Sequence, residues 1–108
     1  MPTYNKLVRD RIPEIIERDG RKPETRVLND ADYMHELRKK LGEELGEYLA
    51  ADNAVAAVEE LADMLELIYA TAVAHGATPH QLDMIREQKA EERGAFDERI
   101  YLHKVSED

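Results

Sequence analysis

Two stretches, Glu43-Glu-Leu-Gly-Glu-Tyr-Leu49 and Glu59-Glu-Leu-Ala-Asp-Met-Leu65, repeat the order acid, acid, Leu, small residue, acid at an offset of 16 residues. Each sits in a long segment of helical periodicity. At 100° per residue the acids of one triplet fall at about 0°, 100° and 40°, so all three share one side of a helix within roughly one turn. Asp52-Asn53 breaks the chain between the two segments, and so short a connection makes the helices antiparallel neighbours. The fold must therefore bring two acid-bearing helices together.

Solvated acids on amphipathic helices are the simplest way to do so. The third helix argues against it. Val55, Val58, Leu61, Ala62, Met64, Leu65, Ile68 and Tyr69 cover most of its circumference, and Leu67 projects between Glu60 and Asp63. A helix apolar nearly all round is expected to be largely buried, and buried carboxylates need partners, because isolated buried charge costs several kcal/mol. A hard cation with oxygen ligands meets that need. Mg²⁺ fits better than zinc, since the chain has no cysteine and its four histidines are scattered without an HxxxH pair.

The other elements follow from their punctuation. Asp10 is the expected cap of a short first helix with Pro13 in its opening turn, Ile12, Ile15 and Ile16 on its apolar side and Gly20 at its end. Residues 21–29 form a connector. Within it 25–28 lean toward a strand, able to pair with 99–105 as a minor β element. Asp30 is the expected N-cap of a second helix to about Ala51, followed by a third from about Ala54 to His75, closed by Gly76. Thr78-Pro79 opens a fourth helix to about Arg93, where Gly94 ends it. Lys89, Arg86 and Arg93 project within about 60° of Leu82, on the face expected to point inward. Salt bridges to the acidic helices and binding of a phosphate are both open readings for them.

With 108 residues, a single all-α domain over residues 1–108 is expected, an antiparallel helical hairpin with flanking helices. A core this small favours self-association. The net charge of −9 argues against nucleic acid as a partner but not against a small phosphorylated ligand, because a bound cation reverses the local sign. No apolar run is long enough for a membrane span, residues 1–20 lack the apolar stretch of a secretory signal, and the absence of cysteine fits the cytoplasm. A cytoplasmic protein is the expectation.

Lys40-Leu-Gly-Glu-Glu-Leu-Gly-Glu47 followed by Glu60-Leu-Ala-Asp63 resembles the EExxE and ExxD motifs of the MazG-like, all-α nucleoside triphosphate pyrophosphatases. Tyr4-Asn-Lys-Leu-Val-Arg-Asp-Arg-Ile-Pro-Glu-Ile-Ile16 looks like the N-terminal signature of a subgroup related to phosphoribosyl-ATP pyrophosphohydrolase and regarded as house-cleaning enzymes. Lys89, Arg93-Gly-Ala-Phe96 and Arg99-Ile-Tyr-Leu102 are similar to its C-terminal end. The resemblance covers nearly the whole chain.

It implies hydrolysis of a nucleoside triphosphate between the α and β phosphates, with Mg²⁺ as cofactor and Mn²⁺ as a substitute. Glu44, Glu47, Glu60 and Asp63 would then be the metal ligands, and Glu59 a structural residue. Glu43 becomes a candidate base or water-positioning group, or else a solvent-facing acid. Lys89 and Arg93 are candidate phosphate ligands, with Lys6 and Arg9 as further candidates. The resemblance also implies a homodimer or homotetramer, with the first ten residues serving that contact. Two other readings stand beside it: phosphoribosyl-ATP as substrate, and a non-catalytic helical interaction module.

Overall fold

The computed structural model describes residues 4–107, so the first three of the ten residues expected at a subunit contact lie outside it. Four helices run in order: α1 (Ile12–Arg18), α2 (Asp30–Ala50), α3 (Ala54–Ala74) and α4 (Pro79–Arg93). The described residues contain no strand, and none of their helices is long and apolar enough to cross a membrane.

The helix starts follow cap chemistry, with two corrections. α2 is capped by Asn29, whose side chain accepts from the Asp32 amide at 2.8 Å. Asp30, the expected cap, is the first helical residue instead, where its charge faces the positive end of the helix dipole. α1 begins after Arg11 without a side-chain cap, so Asp10 does not serve; Pro13 supplies the preset φ of the first turn. Asn53 caps α3 through the Ala56 amide at 2.9 Å. Thr78 and Gln81 form a reciprocal capping box at the start of α4. Gly76 and Gly94, at φ 93° and 85°, take the left-handed turns that close α3 and α4.

The expected β pairing of 25–28 with 99–105 does not form. Val27 is 99% exposed, and Ile100, Tyr101, Leu102 and Val105 are also exposed. Arg99 adopts φ 58°, turning the chain where an extended strand would begin. A two-stranded pair with nothing beneath it is marginal in any case.

α2 and α3 pack together as the hairpin, and α4 packs on α3. The Tyr69 hydroxyl donates to both Asp83 oxygens, at 3.1 and 3.3 Å, and pins that second contact. The inward row of α2 is Met34, Leu37, Leu41, Glu44 and Tyr48, and that of α3 is Ala56, Glu60, Asp63, Met64 and Leu67. Leu37, 1% exposed, is the one fully buried side chain among the described residues. The expected burial of α3 is thus not supplied within one chain, for Val55, Val58, Leu61, Leu65 and Ile68 all remain exposed.

These uncovered side chains form rows of their own. On α3 they are Val58, Leu61, Leu65 and Ile68; on α2 the matching exposed row is Gly42, Leu45, Gly46 and Leu49. Each runs ahead of its helix's inward row in the sense of its own chain, by about 110° on α2 and about 135° on α3. Because the helices are antiparallel, rotations of that sign carry both rows to the same side of the hairpin. One broad face is therefore apolar and open.

Candidate functional site

The acidic triplets meet at the seam of the hairpin. Glu44 and Glu47 from α2 and Glu60 from α3 each place a carboxylate oxygen within 4.8 Å of the others. Glu44 and Glu60 are half-buried, Glu47 is exposed, and Glu44 Oε2 and Glu60 Oε2 are buried with no hydrogen-bond partner. Two ionised carboxylates have no proton to share, which leaves those oxygens as orphaned acceptors of the kind native structures seldom tolerate.

Burial first, then the Glu60 and Glu47 carboxylates to which a protonated Glu44 can donate, and the negative charges of Glu47 and Asp63, push Glu44 up from the usual 4.5 to about 7. Protonated Glu44 can donate, and the raised value expresses that gain. Because the folded form holds the proton more tightly than the unfolded chain, stability falls as pH rises from about 4.5 to about 7 and stays lowered above that. In the presence of a chelator, the melting temperature is expected to drop across this interval. Glu44→Gln should flatten the drop; an equally steep decline in the variant would place its origin in other groups.

A set of crowded, all-oxygen, anionic ligands with orphaned buried atoms fits a hard divalent cation. Neutral partners could not remove the repulsion. The arrangement can hold such a cation and, through it, the oxygens of a phosphorylated ligand.

Asp63 stands apart from the converging triad. Its Oδ1 accepts from Arg9 Nη2 at 2.7 Å, an ion pair spanning 54 positions of sequence. Spacing gave no sign of this contact, since Arg9 had been a candidate only for phosphate. Lys6 lies further along the same N-terminal segment, where with Leu7 it lines a shallow recess against Glu36, Lys39, Lys40 and Glu43 of α2. Glu43 accordingly faces this recess rather than joining the triad. Lys39 and Lys40 are basic neighbours whose place beside Glu43 sequence reasoning missed, although the spacings of three and four residues could have shown it.

The segment crosses the side of the hairpin opposite the open apolar face. Relative to the inward rows, Glu43 and Glu47 rotate one way, with Asp63 on the same edge of its own row, and the apolar rows the other. The hairpin thus has a polar, acid-bearing face beneath the N-terminal segment and an apolar face behind it. Lys89 and Arg93 sit exposed on α4 and form no ion pair among the described residues. The salt bridges to the acidic helices left open from the sequence are not made; Arg86 pairs within its own helix, with Asp83 and Glu87.

The sequence profile of a family described as phosphoribosyl-ATP pyrophosphohydrolase matches residues 8–92, a span that includes every acid of the cluster. An uncharacterized protein of Mycolicibacterium smegmatis is 53% identical over 53 residues, or 49% of this chain and 54% of that protein. The chain thus spans about half the length of the curated relative it matches. No solved structure matches it.

Proposed function

We propose, because this chain belongs to the phosphoribosyl-ATP pyrophosphohydrolase family, that it is a Mg²⁺-dependent pyrophosphohydrolase of nucleoside triphosphates, releasing a nucleoside monophosphate and pyrophosphate. The observation that carries this reading is the convergence of Glu44, Glu47 and Glu60 across the hairpin seam with orphaned oxygens, Asp63 standing beside them. Glu44, Glu47, Glu60 and Asp63 hold the metal, with Mn²⁺ as a substitute. When bound, it neutralises phosphate charge and lowers the pKa of water.

Water supplies the oxygen that replaces the α–β bridging oxygen on the α phosphorus, and pyrophosphate departs with that bridge. Glu43 accepts the proton of the attacking water from its position at the recess. Lys6, in the same recess, binds phosphate oxygens. Lys89 and Arg93 are the phosphate ligands of α4, a role supported by their freedom from acidic partners. The site works in the cytoplasm on free nucleotides, consistent with a net charge of −9 that repels longer polyanions.

The working unit is a homodimer or homotetramer. The chain has a radius of gyration of 18.7 Å and extends 68 Å along its longest axis, where a compact chain of this size would have a radius near 13 Å. Its accessible surface is 10054 Å² for 12.4 kDa, against about 6,100 Å² for a folded monomer of that mass. The surplus is more than an obligate interface takes from each partner, so the chain has ample surface for a second copy. A second copy is the occupant that matches the open face, being itself apolar there and complementary under twofold symmetry.

Incubation with a panel of nucleoside triphosphates and phosphoribosyl-ATP, with Mg²⁺, Mn²⁺ or chelator, tests the chemistry. Pyrophosphate should appear with metal and vanish with chelator. Release of orthophosphate alone, or no pyrophosphate from any substrate, would leave a helical interaction module as the better description. Preferred turnover of phosphoribosyl-ATP would shift the substrate to the one in the family's name.

A further inference from the structure

The ion pair between Arg9 and Asp63 raises a problem of occupancy. Of the four carboxylates proposed to hold the metal, three converge within 4.8 Å. The fourth, Asp63, is engaged by a guanidinium at 2.7 Å. A guanidinium keeps its charge at any pH the fold survives and offers rigid donors matched to a carboxylate. It is therefore a competing cation supplied by the chain itself.

Its attachments make it a movable one. The Arg9 carbonyl accepts from the Ile12 amide at 3.0 Å, so Arg9 is tied to the start of α1. α1 packs on no other helix among the described residues, and Leu7 before it borders α2 at the shallow recess. Arg9 and Asp63 are themselves 57% and 43% exposed. An exposed pair of this kind is weak enough to be exchanged for a divalent ion.

Resting on the metal-centre reading above, we propose that Arg9 is a latch: it holds Asp63 out of the ligand set until a divalent cation takes its place, so that metal binding frees Arg9, and α1 with it, from that contact while Lys6 and Leu7 keep their recess. Arg9 is a positioning residue here, acting through Asp63. The opposite arrangement is also chemically coherent, with Asp63 binding metal through one oxygen while Arg9 orients it through the other. In that case removing Arg9 would weaken the site, as loss of a ligand's supporting partner does. The two arrangements differ in sign, which makes them separable.

The test is Mn²⁺ titration by calorimetry without nucleotide, on the full chain, for wild type, Arg9→Gln, Arg9→Lys, Asp63→Asn and Arg9→Gln/Asp63→Asn. The latch predicts that Arg9→Gln tightens Mn²⁺ binding roughly two- to fivefold, the range of an exposed ion pair. Arg9→Lys should stay near wild type. Arg9→Gln should have no effect once Asp63 is already Asn, as expected if the two act through one contact. Amide exchange over residues 9–18 should be sped by Mn²⁺ in wild type and already be fast in Arg9→Gln without metal. Weaker or unchanged Mn²⁺ binding by Arg9→Gln, with wild type binding normally, overturns the latch and leaves the metal centre standing. No Mn²⁺ binding by any of these proteins overturns both.

Discussion

Glu44→Gln is expected to lower kcat/KM for pyrophosphate release by at least about a hundredfold while leaving the metal-free fold as stable as wild type or more so. The two halves of that expectation come from one geometry. Glu44 lies at the centre of the seam, within reach of Glu47 and Glu60 and in the field of Asp63. Even residues that merely support a ligand cost 10- to 100-fold in metal affinity or activity when removed, so a central ligand should cost no less. For the metal-free chain, however, the same carboxylate is a liability. Its Oε2 is orphaned, and a glutamine amide in its place donates to Glu47 or Glu60 and carries no charge to repel them. Circular dichroism should show unchanged helicity, with the melting temperature at pH 8 equal to or above wild type in chelator. Mg²⁺ should raise that temperature for wild type alone, since a ligand stabilises by binding the native state. A variant with wild-type activity would move the metal site elsewhere; one that unfolds would make Glu44 a structural residue.

What could be read from the sequence, and what could not, divides along the range of the interactions concerned. Helices and their ends are set within a few residues, so the break at Asp52-Asn53 and the cap at Thr78 were legible, though not the reciprocal bond from Gln81. The cap of α2 slipped by one residue because Asn29 and Asp30 are both good cap formers and only the backbone decides between them. Rotation about the helix axis was legible for α3 but not for α4, where Arg86, Lys89 and Arg93 were expected to face inward and are exposed. It placed Leu67 with Glu60 and Asp63, and all three are on the half-buried seam. The Arg9–Asp63 pair was not legible, because a contact between chain segments depends on how the N-terminal segment lies across α2 and α3, and periodicity carries no information about that. Nor does periodicity say whose atoms bury a face. The apolar circumference of α3 led to the expectation of a largely buried helix, and the described residues do not bury it: Val55 and Val58 are 72% and 63% exposed.

That uncovered face yields the second large effect, on assembly. Leu61→Glu is expected to abolish self-association and, with it, much of the thermal stability. Leu61 lies on the open row of α3 with Val58 and Leu65, beside the open row of α2. Gly42 and Gly46 in that α2 row have nothing within 4 Å of where a Cβ would stand. Each glycine costs roughly 1 kcal/mol against alanine in a helix interior, and no contact within the chain offsets the cost. A second hairpin approaching closely over the glycines would do so. Under twofold symmetry each substitution occurs twice per interface, and each Leu61, 46% exposed in the single chain, forfeits on the order of 1 kcal/mol of burial, to which the several kcal/mol cost of burying the new charge is added. The dissociation constant should therefore rise by at least about a hundredfold. Sedimentation at micromolar concentration should find wild type as a dimer or tetramer and Leu61→Glu as a monomer of lower helicity and lower melting temperature. Glu43→Gln, on the opposite face of α2, should assemble as wild type does. A wild-type chain that sediments as a stable monomer would refute the assembly and leave the exposed face of α3 without a function.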